Sequence, residues 1–154
     1  MKISKLALAA IALWLVTMTI IAWFFVHGNV TSGTDDRTAI VLQPSERIMI
    51  LREMRGMLSA TQGILEGINQ GDMALVARSS RAAGMALSAD VNPVLMAKLP
   101  MPFKSMGMSV HHQMDALAQA AETGTPTPEL LKMLSTMLTY CVGCHSAWQL
   151  KAGD

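Results

Sequence analysis

Residues 127–150 read TPELLKMLSTMLTYCVGCHSAWQL, and this stretch decides what kind of fold the chain can have. Thr127 followed by Pro128 is typical of a helix start, because the first turn does not need the N–H that proline lacks. The stretch therefore predicts a helix that runs to about Leu150. Seven side chains share one face of this helix, within about 100° of each other. They include two thiols and an imidazole, and the whole set is Leu130, Leu134, Met137, Cys141, Cys144, His145 and Trp148.

Three further segments have helical periodicity and complete the same pattern. They run from Ser45 to Gln70, from Asp72 to about Leu87, and from Phe103 to Thr123, with glycine or proline between them. Four helices with short connections, each with one face to bury, predict an all-α, antiparallel four-helix bundle. No run of period-two alternation is long enough to indicate a sheet. The first segment has one apolar stripe at spacings of three and four: Leu51, Met54, Leu58, Thr61, Leu65 and Ile68.

The N-terminal end of the chain has a different character. Residues 6–26 are uncharged and mostly apolar, about 31 Å long as a helix, which is enough to cross a bilayer. Lys2 and Lys5 precede this segment, and no Lys or Arg follows it until Arg37. By the positive-inside rule, the N-terminus is cytoplasmic and the rest of the chain lies outside.

These features predict three parts of the chain. Residues 1–27 are a signal anchor that crosses the inner, cytoplasmic membrane once, residues 28–43 are a tether, and residues 44–154 are the bundle domain in the periplasm. A cleaved signal peptide is the alternative interpretation, although its apolar core is typically only about 7 to 15 residues long. Beyond residue 27 the chain has ten Lys and Arg residues and eleven Asp and Glu residues, without a run of basic residues. Nucleic acid is therefore not an expected partner.

Cys141, Cys144 and His145 form a Cys-x-x-Cys-His motif from the only two cysteines in the chain. Cysteines at this spacing can each form a thioether with one vinyl group of a haem, and the following histidine can bind the iron, as in c-type haem attachment. A disulfide between adjacent helical turns would constrain little of the unfolded chain, and thioredoxin-like chemistry lacks its βαβ context. A zinc site would need His111 or His112. We therefore expect one covalent haem c.

The CVGCHSAW motif at the end of the last of four helices resembles the class II c-type cytochromes, the cytochrome c-prime family, over about residues 44–150. The resemblance implies that Trp148, three places after the haem histidine, packs on the haem. The family usually has an arginine at the next position, where this chain has Gln149. Lys151 or Arg47 could substitute for that arginine in pairing with the haem propionates.

The resemblance also bears on the second axial position of the iron. The family divides between members with an open distal side, which bind small gases, and members in which a methionine of the first helix closes that side. The pattern ERIMILREMRGMLSATQGIL places Met54 at the position of that methionine, so we expect Met54 as the distal ligand and His145 as the proximal one. An open site, or ligation by Met57 or His111, remains as an alternative.

The implied function is that of a membrane-anchored periplasmic monohaem cytochrome, which transfers single electrons between redox-partner proteins and is not an enzyme. Two alternatives have other functions. One is a gas-binding module that captures nitric oxide or carbon monoxide on five-coordinate iron, and the other is a non-catalytic haem subunit of a membrane complex. Some family members form homodimers, which leaves a homodimer open for this chain.

Overall fold

The computed structural model describes residues 4–88 and 92–153, so Lys2 of the expected anchor lies outside the described residues. Most of the described residues are helical. The helices are α1 (Lys5–His27), α2 (Pro44–Gln70), α3 (Met73–Ala82), α4 (Pro93–Lys98), α5 (Met101–Glu122) and α6 (Thr127–Ala147), with a 3₁₀ helix (Met85–Ser88) after α3. The strands are β1 (Val30–Ser32), β2 (Thr38–Leu42) and β3 (Trp148–Ala152).

The four predicted helices of the domain are present, but the second ends at Ala82 instead of about Leu87, and α4 was not predicted. The ends of α2 and the start of α3 follow from local chemistry. Pro44 occupies the first turn of α2, where Gln43 N donates to Glu46 Oε2 at 2.9 Å. Gly71 ends α2 with a φ of 72°, a conformation that favours glycine. The carboxylate of Asp72 then accepts from Leu75 N at 2.8 Å and caps α3.

The long helices of the domain pack in chain order around an apolar core, and a second buried cluster lies beside the strands. α2 packs along α3, α3 along α5, and α5 along α6, whereas α6 and α2 have little direct contact. Leu58 and Leu65 of the predicted α2 stripe are 71% and 47% exposed. That part of the prediction is wrong because the stripe, from Leu51 to Thr61, faces a groove between α2 and α6 instead of the core. The buried residues of α2 are Ile50, Ala60, Ile64 and Gly67.

A small three-stranded sheet replaces part of the expected tether and the end of the expected last helix. β2 is the central strand; it pairs antiparallel with β1 and parallel with β3. Ile40 and Leu42 of β2 are almost fully buried, in a cluster with Leu95, Leu99 and Phe103. Residues 28–43 are therefore part of the folded domain. The structure differs from the predicted tether because both edges of β2 are paired and three of its five residues are buried.

α1 differs from the other helices because none of its residues is buried. Its mean hydropathy is 2.3, and among the described residues it is the one helix long and apolar enough to cross a membrane. These properties fit a membrane anchor and also fit a signal sequence. The C-terminal end of α1 contacts α4 and α5.

Candidate functional site

The Cys-x-x-Cys-His motif lies in the last two turns of α6, directly before β3. Cys141 and Cys144 are half-buried, while His145 is more exposed than the predicted buried face implies. Both cysteines are free, so the alternative of a disulfide between them is wrong. The motif therefore presents two thiols and one imidazole along the side of α6.

Three neighbouring cavities surround the motif, with volumes of about 260, 110 and 400 Å³. Met54, from α2, and His145, from α6, line all three of them. Cys144 lines the first two, and Cys141 lines the second and third. The sparse contact between α2 and α6 thus coincides with a space whose walls carry the predicted thiols and both predicted axial ligands.

The two thiols are in their protonated form at neutral pH. Burial raises the pKa of Cys144 to about 11, with a further contribution from Cys141, and burial also raises the pKa of Cys141. The Cys141 thiol lies 3.9 Å from the sulfur of Met137. Redox-active thiols of the thioredoxin kind have lowered pKa values, so this environment does not favour that alternative.

The described residues also give no support to a zinc site. In residues 4–88 and 92–153, no three His, Cys, Asp or Glu side chains come together as a set that could hold a metal ion. His112 is exposed and lines none of the three cavities. His111 is 4% exposed, and its Nδ1 lies 2.8 Å from the carbonyl oxygen of Ala83.

His111 and Met57 remain close to the candidate iron position. Both line the second cavity, and Met57 also lines the third. A backbone carbonyl at Nδ1 is a common partner of histidines whose Nε2 binds a metal. Glu53 lines the same cavity, and burial raises the pKa of its carboxyl group. Met54 differs from these three residues because it borders all three cavities.

Trp148 begins β3 and lines the first cavity. Its ring makes an edge-to-face contact with Phe103, with 6.3 Å between the ring centroids. The indole Nε1 of Trp148 is buried and has no hydrogen-bond partner, which is true of no other buried side-chain nitrogen or oxygen in the described part of the chain. A buried N–H without an acceptor is costly, so this atom marks a place where an incoming acceptor would be stabilised.

Arg47 also lines the first cavity. A residue that pairs with haem propionates in place of the arginine expected at position 149 would need such a position. The Nε of Arg47 donates to the carbonyl oxygen of Leu150 at 3.0 Å, and within residues 4–88 and 92–153 no carboxylate pairs with it. Lys151 is exposed and does not line the cavity. Of the two residues proposed as substitutes, Arg47 is the one that lies at the site.

Arg37 is a residue of the site that sequence reasoning missed. It lines the first cavity from the position directly before β2, and it forms an ion pair with Asp35 at 2.7 Å. Its Nη1 also donates to the carbonyl oxygen of His145, at 3.4 Å. Gln149 is occupied with the same loop, because its side chain lies 3.3 Å from both Thr34 Oγ1 and Asp35 Oδ1. No motif in the expected tether could have indicated this arrangement.

Comparison of the chain with protein-family models, with curated protein sequences and with solved structures gave no match.

Proposed function

We propose that the chain is a membrane-anchored periplasmic c-type cytochrome that transfers single electrons between redox-partner proteins. The observation that carries this proposal is the common position of Met54 and His145 on the same three cavities, between two helices that barely touch. The two thiols in the same walls have the spacing of covalent haem attachment.

The residues that line the cavities fit a haem, and each would have a separate role in binding it. Cys141 and Cys144 would supply the two thioether sulfurs, His145 the proximal ligand and Met54 the distal one. Arg47 and the unpaired indole N–H of Trp148 would hold its carboxylate edge, since both carry donors at the first cavity. When bound, haem supplies a reversible one-electron couple, and no substrate turnover is needed.

The chain's own contribution is to fix the ligands and limit access of water. Leu51, Phe103 and Leu150 add apolar surface to the first cavity, and methionine and leucine side chains dominate the third. A neutral thioether and a neutral imidazole as iron ligands, in apolar surroundings, would raise the reduction potential relative to two imidazoles. α2, α3, α5 and α6 would form the antiparallel four-helix bundle of a class II cytochrome, with the sheet closing one end.

Retention of α1 as an anchor is also part of the proposal. The buried ammonium of Lys104 in α5 donates to the carbonyl oxygen of Phe25 at 2.6 Å, so the last turn of α1 contributes a partner to a buried charge. Removal of α1 would take away the shorter of its two hydrogen bonds and leave the ammonium with the carbonyl oxygen of Met96 alone, at 3.2 Å. This contact favours an anchor over a cleaved signal peptide.

The test of the proposed function is the absorption spectrum of the purified protein. The reduced protein is measured with and without carbon monoxide, and the oxidised protein is measured in the region of the weak sulfur-to-iron band. We expect a low-spin, six-coordinate haem c with the sulfur band and no response to carbon monoxide. A high-spin spectrum that shifts with the gas would instead support a gas-binding module. Absence of haem would overturn the proposal, and stable co-purification with membrane proteins would indicate a subunit of a larger complex.

Arg47→Gln is expected to lower the reduction potential of the bound haem. A cation near the haem stabilises the reduced form, which carries one positive charge fewer, so its loss favours the oxidised form. A tenfold effect on the ratio of the two forms corresponds to about 59 mV for one electron. Potentiometric titration measures the shift in reduction potential. Arg47→Lys keeps the positive charge and should keep the potential of the parent protein. Lys151→Gln removes a charge at an exposed position and is the matched control. Equal shifts in Arg47→Gln and Lys151→Gln would contradict a local role for Arg47.

A further inference from the structure

The last turn of α1 is held by a buried lysine of the domain. Lys104 lies in the first turn of α5 and is 6% exposed. Its ammonium donates to the carbonyl oxygens of Phe25, at 2.6 Å, and Met96, at 3.2 Å, and lies 3.6 Å from the centroid of the Phe25 ring. A buried ammonium needs such partners, so this contact fixes the end of α1 against α4 and α5.

The two residues after α1 leave no flexible joint. Gly28 ends the helix with a φ of 70°, and a Cβ added there would lie 2.6 Å from Lys98 O and from Pro100 N. Asn29 N donates to the carbonyl oxygen of Lys98 at 2.7 Å, and its own carbonyl accepts from Val41 N at 2.8 Å. The chain therefore passes from α1 into the domain through close backbone contacts.

These contacts set the depth of the nearby surface relative to a bilayer. The apolar residues 6–26 match the hydrocarbon core, about 30 Å thick, and the headgroup layer adds about 5 to 7 Å on each side. Gly28 thus lies at the inner edge of the headgroup layer, in contact with Pro100. Met101 follows Pro100, with about 3.8 Å between their Cα atoms. Val94 is one helical turn from Lys98, about 6 Å away. Both residues are within reach of the headgroups.

Val94 and Met101 are apolar and open to solvent, with exposures of 62% and 37%. We propose that these two residues form a membrane-facing patch, on which the domain rests against the outer surface of the same bilayer that α1 crosses. The proposal rests on the retained anchor of the proposed function. The bilayer is the expected partner of the patch because α1, which would cross it, ends beside the patch. Phe103, next to Lys104, borders the first cavity, so the redox site is held at a fixed distance from the membrane.

The test uses the full-length protein in vesicles of phosphatidylethanolamine and phosphatidylglycerol. A photo-crosslinking amino acid replaces Val94 or Met101, and mass spectrometry measures the yield of lipid adducts after illumination. The matched controls are Leu65 on α2 and Leu131 on α6, which are 47% and 41% exposed. Because the patch lies within the headgroup layer, we expect roughly tenfold more lipid adducts at positions 94 and 101 than at the controls.

A second variant tests the role of the buried lysine. Lys104→Met removes the hydrogen bonds to Phe25 and Met96, so the adduct yield at position 94 should fall toward the control value, whereas the exposed Lys132→Met should not change it. Equal yields at the patch and at the controls, in a chain of full mass, would overturn the membrane-facing patch alone. A purified chain that lacks residues 1–27 would overturn both the patch and the anchor. Neither result depends on haem, whose attachment is read separately from the absorption spectrum.

Discussion

Replacement of both Cys141 and Cys144 with alanine is expected to remove all covalently bound haem from the purified chain. These are the only cysteines present, and each would supply one thioether to the cofactor, so no side chain can substitute for them. Haem staining after denaturing electrophoresis measures the loss directly. The single variants should keep one thioether at most and show weaker staining that survives denaturation.

The same double variant should also weaken the fold. α2 and α6 have little direct contact at the site, and the cavities between them would lose whatever packing a cofactor provides. We expect a broad thermal transition instead of a cooperative one, measured by circular dichroism. Ser146→Ala, an exposed position in the same turn of α6, is the control and should keep both haem and cooperativity. Haem staining that persists without the two cysteines would exclude thioether attachment, and tight folding without haem would exclude a bundle built around it.

The helices were predictable because their apolar side chains repeat at helical spacing and their ends carry strong signals. The expected segment from Ser45 to Gln70 begins one residue after the start of α2, and glycine or proline limits both α2 and α6. Periodicity identifies an apolar stripe, but it does not say what covers that stripe. This is why Leu58 could be assigned to the core and still be 71% exposed beside the groove.

The sheet was not predictable from the sequence by the same means. Residues 38–42 are a short run without alternation, because β2 is paired on both edges and largely buried, and such runs do not distinguish strand from helix. Its parallel partner lies more than a hundred residues later, where the helical spacing of apolar residues continues through Trp148. The tertiary pairing ends α6 at Ala147 and turns Trp148 into a strand residue.

The candidate site was predictable where its chemistry is local in sequence. Cys141, Cys144 and His145 were found by spacing, and the cavities do lie beside them. Met54 was found through the apolar stripe and the family resemblance, and it borders the same space. Arg37 was not found, because its place at the site depends on the pairing of β2 with β3 and not on any pattern around it.

Met54→Ala is expected to open the distal side of the haem iron. Met54 is the predicted distal ligand, and alanine at this position has no sulfur that could bind the iron. The oxidised protein should lose the sulfur-to-iron band and become high-spin, and the reduced protein should gain affinity for carbon monoxide. Because a ligand must be displaced in the parent protein, we expect a gain of at least about tenfold, equivalent to about 1.4 kcal/mol.

Two matched variants decide between Met54 and its competitors. Met57→Ala removes a methionine one helical turn away that lines two of the same cavities, and His111→Gln removes the buried imidazole of α5. If Met54 is the ligand, both variants should keep the six-coordinate spectrum and the low affinity for carbon monoxide. A Met54→Ala protein with an unchanged spectrum would remove Met54 from this role, and the variant that does become high-spin would identify the ligand. High-spin iron already in the parent protein would instead mean that the site is open and that all three side chains only line it.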